Sequence, residues 1–184
     1  FIRRRFEVAL VDLCGDVISV ANWETEEITP DSIASIAYSS VTKLLADNGV
    51  QLSQIIGAGV SVPGNFAPDG ISLRAHDYFA ALDGINLKPA LEEALGIYCS
   101  IEIDGACAAL GEFLHGEGRF HRNFFVIHIG HGLGGGTIID GDLYRGSHGN
   151  SSKAGALFPY DQPRPSGQDL IEFLRARGIS VTDI

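Results

Sequence analysis

The chain has 184 residues, 45% of them hydrophobic, and a formal net charge of -10 at pH 7. That length can bury a substantial core, and an acidic surface repels a polyphosphate backbone, so these residues are not expected to hold nucleic acid by themselves. No apolar run approaches membrane-spanning length and no charged-then-apolar leader opens the chain, so no membrane partner and a cytoplasmic location are expected.

Phe6–Asp12 alternates as a strand, and Cys14-Gly15-Asp16 reads as a turn into a second strand, Val17–Trp23. Pro30 opens a helix in which Ile33, Ile36, Ala37, Val41, Leu44 and Leu45 recur at helical spacing, and Asn48-Gly49 closes it. Ile55–Val62 reads as a strand followed by a Pro63-Gly64-Asn65 turn, and Leu87–Leu95 as a helix with Pro89 in its first turn. A strand over Ile97–Ile103, a helix over Gly105–His115 and a strand over Asn123–Ile129 follow, joined in part by the polar connection Gly116–Arg122. Ser147–Gln168 reads as loop, and a last helix runs from Asp169 to Arg177, before Gly178. Strands alternating with helices of this length predict an α/β protein with a largely parallel central sheet, made mixed by the opening antiparallel hairpin.

The densest signal is I-G-H-G-L-G-G-G-T-I-I-D-G-D-L-Y-R-G-S-H-G, over Ile129–Gly149. Gly130, Gly132, Gly134, Gly135 and Gly136 follow an apolar strand, where the lack of Cβ atoms lets main-chain N–H groups approach a ligand. The glycine loop then enters Thr137-Ile138-Ile139 and turns at Asp140-Gly141, a hairpin signal. A loop between two strands is not the strand-loop-helix dinucleotide fingerprint. It is a form in which sugar kinases and related ATPases hold a nucleotide phosphate, and a glycine loop with no ligand is the alternative.

Cys14, Cys99 and Cys107 are odd in number and scattered, which reads as buried thiols in a reducing compartment. The chain contains no methionine, so a piece of a longer polypeptide is expected. A subdomain boundary is expected at the strand-to-helix junction, dividing 1–103, an N-terminal α/β subdomain, from 104–184, the first part of a C-terminal one.

Four stretches, Glu7–Gly15 (E-V-A-L-V-D-L-C-G), Gly57–Gly70 (G-A-G-V-S-V-P-G-N-F-A-P-D-G), Asp104–Glu112 (D-G-A-C-A-A-L-G-E) and Ile129–Gly149, resemble in order and spacing the ROK family of repressors, open reading frames and sugar kinases. The resemblance implies the actin-like, hexokinase-type (ribonuclease H-like) fold, two α/β subdomains flanking a cleft for sugar and, in the kinases, ATP. It also implies a C-terminal remainder after this chain and, in the repressors, an N-terminal helix-turn-helix domain before it.

Departures from the family pattern cluster at its working positions. Where a ROK kinase carries Asp-x-Gly-Gly-Thr-Lys for ATP phosphates, this chain reads Ile2-Arg3-Arg4-Arg5; where the second loop carries Gly-Thr-Gly, it reads Gly130-His131-Gly132. The family's Glu-Asn-Asp-Ala-Asn appears as Glu102-Ile103-Asp104-Gly105-Ala106, which keeps Asp104, the match to the kinase general base. Gly-Glu-x-Gly-His appears as Ser152-Lys153-Ala154-Gly155-Ala156. The family's zinc cysteines have no counterpart after Ala156, so no zinc is expected.

These readings make Gly64, Asn65, Asp104 and Lys153 candidate sugar contacts, and Gly130, His131, Gly132 and Gly134 a vestigial phosphate loop. Asp104 reads equally as a helix cap and as a contact to a sugar hydroxyl. Lys153 reads as a solvated cation or, in a cleft, as a partner for an acidic sugar or sugar phosphate. His131 and His148 read as loop histidines, Glu112 as structural, and Arg3-Arg4-Arg5 as a solvent-facing strand end. The expected function is the effector-binding and oligomerisation region of a ROK transcriptional regulator, inactive as a kinase. Its expected partners are a carbohydrate effector, operator DNA through the helix-turn-helix domain, and further copies in a homodimer or homotetramer. The alternatives are an ATP-dependent ROK sugar kinase using ATP and Mg, and a ligand-free interaction domain.

Overall fold

The computed structural model of the protein describes residues 5–25, 28–75, 77–130, 132–159 and 162–181. Its contacts divide the chain into two compact units, Phe1–Ile103 and Asp104–Ile184.

The first unit opens with an antiparallel hairpin of β1 (Arg5–Val11) and β2 (Val17–Glu24), in which Phe6 faces Trp23 and Val8 faces Ala21. The helix α1 (Pro30–Asn48) packs against both strands. Its start is fixed by Thr29, whose hydroxyl accepts from the Ser32 N–H at 3.2 Å while the Ser32 hydroxyl accepts from the Thr29 N–H at 2.9 Å. Gly49 ends it in the left-handed conformation at φ 64°. β3 (Ala58–Val62) runs parallel to β6 (Cys99–Ile103), and between them lie the short β4 (Asn65–Phe66) and β5 (Leu73–Arg74) and the helix α2 (Lys88–Leu95). Phe6, Ile33, Val62, Phe66, Leu73, Leu82, Leu87, Leu91, Leu95 and Cys99 form the buried core of this unit.

The second unit consists of α3 (Asp104–His115), the antiparallel strands β7 (Phe124–Ile129), β8 (Leu133–Ile139) and β9 (Asp142–Leu143), and α4 (Gly167–Ala176). The β8–β9 turn is Asp140-Gly141, with φ 55° and 89°, as a tight hairpin turn of the mirror-image type requires. Ser166 caps α4, its hydroxyl accepting from the Asp169 N–H at 3.1 Å.

Several expectations are corrected. Among the described residues only β3 and β6 pair in parallel; the other pairings are antiparallel, so the sheet structure is mixed and not largely parallel. The strand expected from Ile55 begins at Ala58, after a 3-10 turn at Leu52–Gln54. The connections expected to be loop contain 3-10 turns at Glu117–Phe120 and Ala154–Leu157, and α4 starts at Gly167, just before the expected Asp169. Most consequential, Gly134, Gly135 and Gly136 are not loop residues; they lie inside β8.

Candidate functional site

The glycines of β8 are explained by what lies on them. A Cβ at Gly136 would stand 2.5 Å from both the Ala109 Cβ and the Gly105 carbonyl oxygen, and a Cβ at Gly105 would stand 2.5 Å from the Gly135 N and O. Real Cβ atoms do not approach so closely, so α3 rests on β8 main chain to main chain, a contact that only glycine and alanine allow. Glycine in a strand costs β-propensity, and the close helix contact is the return.

This packing delivers Asp104. It is the first residue of α3, half-buried, and its Oδ1 accepts from the Gly105 N–H at 2.7 Å. That bond goes to the next residue, not to the second or third N–H reached by an ordinary helix cap. A Cβ on Gly134 would lie 3.7 Å from Asp104 Oδ1, so the carboxylate and the second half of the glycine segment share one place.

Between β7 and β8 the turn is Gly130-His131-Gly132, and His131 lies outside the described residues. The Gly130 N–H donates to the Gly132 carbonyl at 3.0 Å, and the Gly130 carbonyl accepts from the Gly167 N–H at 2.8 Å. Both main-chain groups of Gly130 are therefore engaged within the protein, and the turn is tied to the first residue of α4.

Gly64 has φ 108°, and a Cβ there would meet the Arg74 carbonyl oxygen at 2.9 Å; Asn65 does not extend the turn but begins β4, paired with Arg74. Lys153 is exposed and forms no ion pair with any described residue. The residue before it, Ser152, holds φ 71°, an uncommon conformation outside glycine, and its hydroxyl pairs with Thr137 on β8. Gly64 and Asn65 belong to the first unit, and Asp104, Gly130, Gly132, Gly134 and Lys153 to the second.

Ile2, Arg3 and Arg4 lie outside the described residues. Arg5 is placed: it is exposed on β1, its guanidinium donates to the Asn22 side-chain oxygen at 3.1 Å and lies 3.9 Å from Glu7. Its cation is thus directed along the hairpin. The three cysteines are not uniformly buried as expected. Cys14 is exposed in the β1–β2 turn and Cys107 is half-buried. Cys99 is buried, and burial, with Glu92 nearby, pushes its thiol up from the ordinary value.

Cofactor chemistry follows from the donor sets present. Among the described residues no three His, Cys, Asp or Glu side chains come together as metal ligands. The cysteines stop at Cys107, so a structural zinc of the family kind lacks its thiolates. The Gly130 N–H, one main-chain donor a phosphate could use, is bonded to the Gly132 carbonyl.

One residue the sequence reading passed over is His128, a polar residue at an inward position of the apolar β7. Its parity with Phe124 and Val126, on the face toward α3, is the signal that could have drawn notice.

A regulator of known structure, a ROK family transcriptional regulator homologous to the E. coli MLC protein, matches 96% of this chain and 48% of its own at a TM-score of 0.76 and 22% identity. The fold is thus the actin-like, hexokinase type. The ROK family model matches residues 3–165, and the chain belongs to the ROK family. The uncharacterised protein y4fQ of Sinorhizobium fredii is 42% identical over 97% of this chain and 46% of its own length. The beta-glucoside kinase of Listeria monocytogenes is 33% identical over 72% of this chain and 46% of its own length. The chain spans about half the length of these curated relatives.

Proposed function

We propose that this chain is the effector-binding and oligomerisation region of a ROK-family transcriptional regulator, with a carbohydrate or sugar derivative as effector. The observation that carries the reading is the engagement of the former phosphate-loop elements in the protein's own architecture. Arg5 stands where a threonine-lysine turn would receive phosphate and is bonded to Asn22. Gly130 is bonded through both main-chain groups, and the glycines of β8 serve the packing of α3. Asp104, Lys153, Gly64 and Asn65 are the proposed effector contacts.

In this reading operator DNA is bound through a helix-turn-helix domain outside these residues, in a cytoplasmic homodimer or homotetramer. The effector changes DNA affinity only by binding one conformation more tightly than the other. Titration calorimetry of the full-length protein with D-glucose, N-acetyl-D-glucosamine, D-xylose, D-gluconate and glucose 6-phosphate tests this. Binding of at least one, with a matching change in operator affinity, is expected; silence across the panel overturns it.

A second reading, an ATP-dependent sugar kinase, is favoured by one observation: Asp104 keeps the general-base position beside β8. ADP release with any of these sugars, abolished in Asp104→Asn, would displace the regulator reading.

A further inference from the structure

The register of α3 on the sheet can be read at both of its ends. At one end Phe113 meets Phe124, with ring centroids 6.4 Å apart. At the other, Asp104 lies over Gly134. From Phe113 back to Asp104 the helix rises about 13.5 Å. From Phe124 to His128 the strand advances about 13 Å. Asp104 is therefore level with His128. Gly134 and His128 are register partners, and partners across an antiparallel pair project to the same face.

The carboxylate and the imidazole thus stand on one face of the sheet, on either side of a position that has no side chain. The imidazole leans along its strand, with Nε2 3.3 Å from where a Cβ of Gly130 would be. His128 is half-buried and forms no hydrogen bond with any described residue. Among the described residues the one bond to the Asp104 carboxylate comes from the Gly105 N–H, at Oδ1.

We infer that Asp104 and His128 bind neighbouring hydroxyls of a carbohydrate, in the room left by Gly134. The inference rests on the carbohydrate-effector reading above and extends it to a residue outside the family-like motifs. No buried side-chain nitrogen or oxygen among the described residues lacks a partner, so the unbonded ring nitrogens of His128 are open to solvent and to a ligand. The carboxylate excludes an anionic group at this point. A metal ion would find only these two donors, because no third ligand side chain joins them among the described residues. A polyol satisfies both: one hydroxyl donates to Asp104 Oδ2, and its neighbour exchanges a hydrogen bond with His128 Nε2.

The test uses the full-length protein and whichever sugar of the panel binds it most tightly. His128→Ala is expected to raise Kd about tenfold, the equivalent of one neutral hydrogen bond. His128→Gln, which keeps a donor and acceptor at similar reach, is expected to recover most of that loss. In the wild type, the 15N resonances of the His128 imidazole are expected to shift on saturation with sugar. An imidazole signal that does not move, or a Kd for His128→Ala within about twofold of the wild type, overturns the pair and leaves the regulator reading intact. Should His128→Ala unfold, the wild-type imidazole signal decides alone. Absence of binding by any sugar overturns the pair together with the reading beneath it.

Discussion

The two long hairpins of this protein are built from opposite materials. In β1–β2 the helix-facing positions carry Phe6, Val8 and Leu10 opposite Trp23, Ala21 and Ser19, and α1 packs over them through side chains. In β7–β8 the helix-facing positions of β8 include Gly134 and Gly136, and α3 answers with Gly105, Ala106 and Ala109, so backbone meets backbone. Their turns differ in the same sense. The first closes on itself, with the Asp12 carboxylate accepting from the N–H groups of Cys14 and Asp16 at 2.8 and 2.9 Å. The second is tied to α4 through Gly130 and Gly167. A side-chain interface tolerates adjustment, whereas a main-chain interface fixes what stands at the helix start, and in this protein that residue is Asp104.

The most direct way to break this contrast is Gly136→Ala. The new methyl has no room on α3, and an overpacked contact of this kind costs about 3 kcal/mol. Urea unfolding of the full-length protein measures it, with Gly59→Ala on β3 as reference. A Cβ at Gly59 meets nothing within 4 Å, so the reference is expected to stay within about 0.5 kcal/mol of the wild type. A cost below about 1 kcal/mol at Gly136 would mean that α3 lifts away easily and positions nothing.

A smaller effect is expected where the second turn is anchored. Ser166→Ala removes the cap of α4 and is expected to cost about 1 kcal/mol, with faster amide exchange at Gly167. The same hydroxyl, followed by the Arg164 neighbourhood, holds the Asp169 carboxyl below its ordinary 3.8. A carboxyl depressed in the folded state adds stability that is full above the unfolded value and is lost as pH falls through the folded one. The stability gap between wild type and Asp169→Asn is therefore expected to be constant near neutrality and to close in acid below 3.8.

How much of this was legible in the sequence follows the length over which each signal is repeated. α1 was readable because its periodicity, Pro30 and Gly49 agree over 19 residues. β4 and β5, two residues each, carry no periodicity to read. The glycines of β8 were read as loop because glycine is a poor strand former. Their reason lies on α3, some thirty residues away, and local pattern does not reveal it. Asp104 stood out at its strand-to-helix junction. His128 did not, since a single histidine inside F-F-V-I-H-I gains meaning only when register sets it opposite Gly134. Cys14 is exposed, against expectation, because burial of a turn residue depends on what packs over the hairpin, which local sequence does not carry.

Gly111→Ala sharpens the contrast from within α3. Gly111 lies on the same helix as Gly105 but faces open space, with nothing within 4 Å of a Cβ. Replacing a helix-interior glycine by alanine there is expected to stabilise the protein by about 0.5–1 kcal/mol. Opposite signs at Gly136 on β8 and Gly111 on α3 would show that the helix has one face fixed against the strand and one face free. Thermal unfolding of both single variants supplies the comparison.

Arg5→Ala is the smallest expected effect. The exposed Arg5 guanidinium gives up one hydrogen bond and a long contact to Glu7, so stability is expected to change by less than about 0.5 kcal/mol. Its value lies in what accompanies it. If Arg5 belongs to the hairpin, as its bond to Asn22 indicates, ATP or inorganic phosphate should raise Tm no more in the wild type than in Arg5→Ala. A phosphate-dependent rise confined to the wild type would give this strand an anion site, and the difference drawn between the two hairpins would then rest on packing alone.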